Sequence, residues 1–452
     1  MMMFGLRQKM YSIVFIAILF SSSLVPGYAQ LYKPIKFTEF DLANGLHVIF
    51  HQDKSVPIVA SVLQYRVGSR YEDPARTGFA HFFEHLMFEG TDSIPRGSVP
   101  KFFQQVGGEL NAFTSFDKTV YHVQCPSNGL QLAMWVDAQR MRNLRVDDIG
   151  VETQRGVVKE ERKGRNDNSP YGTWNEKMFS QLFKNSVYGW TPIGSSQHID
   201  VASISEFKDF YNKYYVPNNA VLCISGDFDE KEAREYIDVY YGSRPKGDEV
   251  KRETVTLPPM DGEVRETVQD AKAQLPAVFV GYRGVKQGDA DGYALEMLTD
   301  ILANGESSRM YKRLVNNDQI AVEASTFPYQ LEQVGAMVLI GVAAPGVDIA
   351  KVEQTMYQEI DNVIKNGVTD AEFQKAKNIS EVKFISGKKG VLQNALSLAD
   401  AWATFGNTEY INNEIKRFYM VTKEDLQRVA KKYFETKNRV VLTYVPSTEK
   451  KK

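Results

Sequence analysis

Three residues in one short stretch of the chain could bind and use a metal ion. His81, Glu84 and His85 stand in the order H-x-x-E-H within the segment TGFAHFFEHLMFEGT. Residues four apart on a helix lie on the same face, so the two imidazoles can bind one ion, and zinc is a metal that takes such ligands. Glu84 would lie on nearly the same face, close enough to accept a proton from a water at the metal. The spacing therefore predicts a zinc site that can activate water.

A catalytic zinc site needs a third protein ligand and an open position for water. The chain has only six histidines and two cysteines, so a carboxylate or another histidine is the expected donor. The helical stretch VETQRGVVKEERKGR offers Glu160 and Glu161. Adjacent residues point about 100° apart on a helix, so only one of the two can face the metal. The spacing does not choose between them.

The elements that must position these residues occur in two similar groups. Asn44-Gly45 predicts a hairpin, and a helical pattern covers about 78–88, the stretch with the histidines. After a polar, proline-bearing linker at 243–262, strand, helix, strand and long helices follow again. The second group has strands at 276–282, 321–344 and 439–445, and helices at 290–304, 348–366, 369–405 and 422–434. We predict an α+β fold of two similar domains, at 31–242 and 263–452.

The first 29 residues have the features of an export signal. Arg7 and Lys9 precede an apolar run at 12–25, and small residues stand at Gly27 and Ala29. The run is short for a membrane span of about 20 residues, although a retained anchor is the alternative. We therefore predict an exported protein, most simply periplasmic, with no stable membrane insertion after the signal is removed. With 54 basic and 56 acidic residues, the net charge of −2 gives no indication of a nucleic-acid partner.

The chain resembles the pitrilysin family of zinc peptidases, which includes the mitochondrial processing peptidase and the insulin-degrading enzyme. The resemblance begins at His81-Phe82-Phe83-Glu84-His85, followed 76 residues later by Glu161 in VVKEER. It continues through segments at 107–122, 192–199, 214–228 and 292–314. It implies that Glu161 is the third ligand of one zinc ion per chain, with Glu160 as the fallback, and that Glu84 is the general base. It also implies mostly antiparallel sheets with flanking helices in a clamshell-type metallopeptidase architecture.

The resemblance further assigns a binding strand for substrate. Asn111, Ala112, Phe113 and Thr114 match an exposed strand edge that pairs with an extended peptide. Such pairing takes its affinity from main-chain hydrogen bonds and depends little on substrate sequence. The expected substrate is therefore a peptide or an unfolded polypeptide.

The chain departs from the family pattern in two places. Gln154 stands seven residues before Glu161, where the family usually has an acid. Active single-chain members also carry an Arg and a Tyr where this chain has Val315 and Val322. The chain therefore resembles the zinc-bearing subunit of the bacterial two-chain branch, which implies a heterodimer with a paralogue that supplies Arg and Tyr. A non-catalytic scaffold subunit of the same fold is the alternative, and a hydrolase of non-peptide substrates is a third.

Overall fold

The hairpin predicted at Asn44-Gly45 is present at the edge of the first sheet. The structure is a computed structural model that describes residues 33–447, so the signal peptide expected at 1–29 lies outside the described residues. β1 (Thr38–Asp41) and β2 (His47–Gln52) pair in antiparallel register. Gly45 turns the chain between them with a φ of +85°, which glycine adopts without the steric cost of a side chain.

The other strands of the first sheet come from distant parts of the chain. They are β3 (Ile58–Tyr65), β4 (Glu109–Thr114), β5 (Thr119–Pro126) and β6 (Ala220–Gly226). The strand order is β1-β2-β6-β3-β5-β4. β2 and β6 are parallel, whereas the other neighbours are antiparallel. β4 is therefore an edge strand.

A second sheet repeats this arrangement without a counterpart of β1. Its strands are β7 (Val264–Asp270), β8 (Ala277–Arg283), β9 (Ala321–Gln330), β10 (Gly335–Ala343) and β11 (Arg439–Pro446). They follow the order β7-β11-β8-β10-β9, and the one parallel pair, β7 and β11, corresponds to the parallel pair β2 and β6 of the first sheet. β9 thus occupies the place that β4 has in the first sheet. The predicted fold of two similar α+β halves with mostly antiparallel sheets is confirmed.

Helices cover both sheets. In the first half they are α1 (Phe79–Leu86), α2 (Val99–Gln105), α3 (Leu130–Asn143), α4 (Asp148–Arg162), α5 (Trp174–Leu182), α6 (Ser196–Val201), α7 (Ile204–Tyr214) and α8 (Glu230–Tyr240). In the second half they are α9 (Ala290–Ala303), α10 (Ile349–Asn366), α11 (Asp370–Ser386), α12 (Val391–Phe405), α13 (Tyr410–Met420) and α14 (Lys423–Tyr433). Within residues 33–447, none of these helices has both the length and the apolarity to cross a membrane.

Each half contributes one helix to the core of the other half. α5 packs on β8 and β11 of the second sheet, where Met178 and Phe179 are buried with strand residues such as Phe279. α12 packs on β3 and β6 of the first sheet, where Leu398 is buried with strand residues such as Val62. The two halves are therefore joined by shared hydrophobic cores.

Two expectations about chain organisation have different outcomes. The continuous helix expected over 369–405 is wrong, because the chain breaks between α11 and α12. Gly390 has a φ of +90° there, which interrupts the helical conformation. The division into domains at 31–242 and 263–452 stays a prediction. The segment between α8 and β7 contains no helix or strand, but the residues from Ile35 onward form one compact unit.

Candidate metal centre

The helix that carries His81, Glu84 and His85 is fixed by its opposite, aromatic face. Phe79, Phe82, Phe83 and Leu86 of α1 are buried, at the spacing expected of one helix face. The ring of Phe207 on α7 stacks against Phe79 and Phe82, with ring centroids 4.6 Å and 4.5 Å apart. These stacked aromatic rings hold α1 against α7 and leave His81, Glu84 and His85 on its other face.

The beginning of α1 is held by hydrogen bonds that the sequence did not reveal. The buried carboxylate of Glu72 accepts hydrogen bonds from the N–H groups of Gly78 and Ala80, each at 2.9 Å. Such bonds satisfy helix N–H groups that have no partner within the helix. Burial raises the pKa of Glu72 to about 8. Nδ1 of His198 accepts a hydrogen bond from the N–H of Thr77 at 3.1 Å. The segment at 192–199, which was part of the family resemblance, therefore supports the start of α1.

Two glycines at this contact leave no room for side chains. Gly78 has a φ of +97° and Gly194 a φ of +63°. A Cβ atom on Gly194 would lie 2.3 Å from both Cα and N of Gly78, which is closer than real atoms approach. The close backbone contact therefore requires glycine at position 194.

The structure brings Glu161 to the two imidazoles and leaves Glu160 in solvent. Oε2 of Glu161 lies 3.0 Å from Nε2 of His85 and 3.6 Å from Nε2 of His81, and the two Nε2 atoms are 3.3 Å apart. The Glu160 side chain is 74% exposed and pairs with Lys163 at 3.4 Å. The packing of α4 against α1 thus selects the glutamate that spacing alone left open.

These distances fit a tetrahedral metal site. Zinc bonds to nitrogen and carboxylate oxygen are about 2.0–2.2 Å long, so tetrahedral donors lie about 3.3–3.6 Å from one another. The three observed separations of 3.0, 3.3 and 3.6 Å are close to that range. His81, His85 and Glu161 therefore fit one face of a zinc tetrahedron.

The ionisation of the three groups also suits metal binding. Burial lowers the pKa of His81 to about 4, which keeps its imidazole in the neutral form that binds metals. The hydrogen bond between Glu161 and His85 lowers the pKa of Glu161, so the Glu161 side chain is a carboxylate. The other oxygen of Glu161 pairs with Arg165 at 2.6 Å, which leaves Oε2 directed at the imidazoles.

Glu84 lies beside this set of donors, between them and β4. One carboxylate oxygen of Glu84 and one nitrogen of each imidazole lie within 4.8 Å of one another. Burial raises the pKa of Glu84, an effect that the hydroxyl of Thr114 on β4 and the charge of His85 oppose. A carboxylate with a raised pKa is a stronger base, as a proton-accepting group requires.

The four residues expected to bind substrate all lie on β4. Asn111, Ala112, Phe113 and Thr114 pair with β5 on one side only, and β4 has no strand on its other side within the described residues. Phe113 is 39% exposed. α1 packs against β4, so the free strand edge lies beside the helix that carries the two histidines.

The second half has an ion pair at the position that corresponds to the candidate metal ligands of the first half. Glu161 and Lys383 each stand 14 residues after the N-cap of their helix, Asp147 for α4 and Thr369 for α11. α11 packs on α9 as α4 packs on α1. The ammonium group of Lys383 lies 2.8 Å from Asp300 and 3.5 Å from Glu296, both on α9. In the second half, the ammonium group of Lys383, at the position that corresponds to Glu161, therefore pairs with the carboxylates.

Several residues discussed from the sequence lie outside the set of donors. Val315 lies in a π-helical turn at Tyr311–Asn317, and Val322 is 48% exposed on the edge strand β9. Gln154 points to Glu89 rather than to the imidazoles, with its amide donating to that carboxylate at 2.6 Å. Cys125 and Cys223 are buried free thiols.

Two such halves, with H-x-x-E-H on the first helix of the first half, define the class of M16-type peptidase folds. The chain matches the family described as Insulinase (Peptidase family M16) over residues 47–190 and then Peptidase M16 inactive domain over residues 202–380. It is 30% identical over 415 residues to the zinc protease PqqE of Helicobacter pylori, which covers 90% of this chain and 92% of that protein. The chain therefore belongs to the M16 peptidase family, and the resemblance to the pitrilysin family is confirmed.

Solved structures share the fold. A protease from Helicobacter pylori superposes with a TM-score of 0.87 at 28% identity, covering 92% of this chain and 100% of that one. The periplasmic protease PqqL from Escherichia coli matches with a TM-score of 0.75 at 19% identity, and the match covers 92% of this chain but 48% of that one. One copy of this fold thus corresponds to about half of the longer PqqL chain.

Proposed function

We propose that this chain is an exported zinc metalloendopeptidase subunit that hydrolyses peptides or unfolded polypeptides. The observation that carries the proposal is the convergence of the His81, His85 and Glu161 donors, at 3.0–3.6 Å from one another, beside Glu84. Relatives named zinc proteases support the choice of metal and reaction class. One zinc ion per chain would be held by His81, His85 and Glu161.

In the proposed mechanism, Glu84 moves the proton. Bound zinc would supply a Lewis acid that polarises the peptide carbonyl and lowers the pKa of a water toward neutrality. Glu84 would accept the proton of the attacking water on a carboxylate oxygen and deliver it to the amine of the leaving group. The nucleophile is water, so no acyl-enzyme forms.

The free edge of β4 is the proposed binding strand for substrate. In an antiparallel ladder, alternate residues direct their N–H and C=O groups to opposite sides of the strand. The groups of β4 that do not pair with β5 can therefore pair with an extended peptide. Because α1 packs against β4, a peptide bound there would run beside Glu84.

A paralogous partner is proposed to complete the active site. This chain has Val315 and Val322 where active single-chain relatives carry Arg and Tyr, so groups that bind substrate and stabilise the tetrahedral intermediate must come from elsewhere. The match to about half of PqqL supports a two-unit enzyme. Cleavage by the mixture of the two chains, and none by this chain alone, is the expected result. Full activity of this chain alone would contradict the heterodimer.

The proposed location is the periplasm. Residues 1–29 have the charge, apolar run and small residues of an export signal. The matched PqqL, which is described as periplasmic, is consistent with this location. Fractionation of cells that express the full chain would test it, and a product that keeps residues 1–29 in the membrane fraction would contradict it.

The glutamate assigned as base gives the direct test of the proposed reaction. Glu84→Gln should keep zinc, because no ligand changes. In the mixture with the paralogous chain, it should lower cleavage of a quenched unstructured peptide by about 10²–10⁴-fold, the usual contribution of a general base. Glu160→Gln is the matched control and should leave cleavage unchanged, because Glu160 is exposed. Zinc content is measured by elemental analysis in both variants. Cleavage by Glu84→Gln at the rate of an active wild type would refute the role of Glu84. No cleavage by the wild type in the mixture would favour the scaffold alternative.

A further inference from the structure

The three proposed ligands come from two helices that are far apart in sequence. His81 and His85 belong to α1, whereas Glu161 belongs to α4. Their geometry therefore depends on how α4 lies along α1. Functional side chains must usually be held within about 0.5 Å of their working positions, so a small slip of α4 would move Glu161 away from the imidazoles.

Arg96 joins the end of α1 to the beginning of α4. One amino group of its guanidinium pairs with Glu89, which follows α1 and is buried. The other amino group donates to both oxygens of Asp147, at 2.8 Å and 3.0 Å. Asp147 is the N-cap of α4 and accepts a hydrogen bond from the N–H of Gly150 at 2.8 Å. Arg96 therefore connects a carboxylate next to α1 with the residue that starts α4.

Glu89 also contacts α4 directly, through Gln154. The amide of Gln154 donates to the second oxygen of Glu89 at 2.6 Å. Gln154 precedes Glu161 by seven residues, nearly two helical turns, so the two side chains lie on the same face of α4. The contact between Gln154 and Glu89 thus fixes the helix face that presents Glu161.

A glycine on α4 makes room for Arg96. A Cβ atom on Gly150 would lie 2.8 Å from an amino nitrogen of Arg96 and 3.5 Å from the side chain of Leu86, the last residue of α1. The guanidinium therefore packs directly against the backbone of α4. Its place depends on the absence of a side chain at position 150.

We propose that Arg96 is a positioning residue that sets the distance between Glu161 and the two imidazoles through Glu89, Asp147 and Gln154. The proposal rests on the metal ligands of the proposed function. It also gives a reason for glutamine at position 154. An acid there would place a second carboxylate against Glu89, which already shares the guanidinium of Arg96 with Asp147, and like charges at such distances repel.

Zinc affinity of the full mature chain, measured by competition with a fluorescent chelator, tests this role. Loss of groups that orient metal ligands typically lowers metal affinity by about 10–100-fold, and Arg96→Met should weaken zinc binding to that extent. Arg96→Lys keeps the charge but cannot engage two carboxylates with one planar fork, so its loss should be intermediate. Arg142→Met is the control, because Arg142 is exposed on α3 and bonds to Ser243. Unfolding followed by circular dichroism shows whether each variant folds.

A substitution at Gln154 separates positioning from general stability. Gln154→Met removes the amide that donates to Glu89 and changes no ligand, so it should weaken zinc binding by about 10-fold in a chain that still folds. Wild-type zinc affinity in both folded Arg96 variants would overturn the proposal, and so would wild-type zinc affinity in folded Gln154→Met. His81→Ala distinguishes this failure from failure of the proposed function. If His81→Ala also kept zinc, the ligand assignment itself would be wrong.

Discussion

Glu161 and Glu160 are chemically identical neighbours, and the structure places them in different surroundings. We predict that Glu161→Gln weakens zinc binding strongly, whereas Glu160→Gln does not change it. Oε2 of Glu161 lies 3.0 Å and 3.6 Å from the two imidazole nitrogens, and Glu160 is directed to solvent. Glutamine keeps the size of the side chain and a carbonyl oxygen, so the change removes mainly the negative charge.

The expected magnitude follows from the number of donors. Binding of zinc to four-ligand protein sites is worth about 10–16 kcal/mol, or about 2.5–4 kcal/mol per ligand, which corresponds to about 10²–10³-fold in affinity. Glu161 is the one anionic donor of the three, so we expect a loss in this range. The ion pair of Glu161 with Arg165 adds little to stability, because the Arg165 side chain is 77% exposed. Without metal, Glu161→Gln and the wild type should therefore unfold at nearly the same denaturant concentration.

Chelator competition on the two variants and the wild type measures the difference directly. Glu160→Gln should bind zinc within about twofold of the wild type, since an exposed side chain change is usually nearly neutral. Equal affinities for all three proteins would refute the assignment of Glu161. A loss in Glu160→Gln with none in Glu161→Gln would show that α4 presents its other face to α1.

Two further substitutions test the packing of α1 against α7 and the ion pair of Lys383 in the second half. Phe207→Ala should lower the free energy of unfolding in urea by about 3–5 kcal/mol, because it removes a fully buried ring stacked on α1. Phe113→Ala, on the exposed edge of β4, is the control. Equal losses in the two variants would contradict this packing. Lys383→Met should lower it by about 1–2 kcal/mol, less than the loss of a fully buried ion pair because Lys383 is 43% exposed, and should leave zinc affinity unchanged. Weaker zinc binding in Lys383→Met would contradict the view that the Lys383 ion pair takes no part in the candidate metal site.

The sequence was sufficient for features that depend on local periodicity. The i, i+4 spacing of His81 and His85 placed both imidazoles on one face of α1, and the order of elements indicated two similar halves. It could not choose between Glu160 and Glu161, because that choice depends on which face of α4 packs on α1. The bridge from Arg96 to Asp147 joins residues 51 positions apart and had no local signal. The break at Gly390 was missed because the flanking stretches both have helical patterns.

The exchange of α5 and α12 between the halves could not be predicted from the sequence either. Both helices are apolar enough to be buried, but nothing local shows which sheet they cover. Pairing of a helix with a sheet more than 100 residues away is a property of the assembled chain, as the contacts of α12 with β3 and β6 show. The sequence therefore predicted the elements of the core more fully than their partners.

The exchange of these two helices makes the chain resemble a fused domain-swapped dimer. α5 and α12 occupy matching places in the repeat, each the next helix after the long helix α4 or α11. Each leaves its own half and completes the other, as identical elements do when two copies of one chain swap them. A single ancestral half would thus have needed a second copy to bury its sheet. By the same reasoning, a chain cut between α8 and β7 would give two fragments that hold each other, and neither would have a complete core alone.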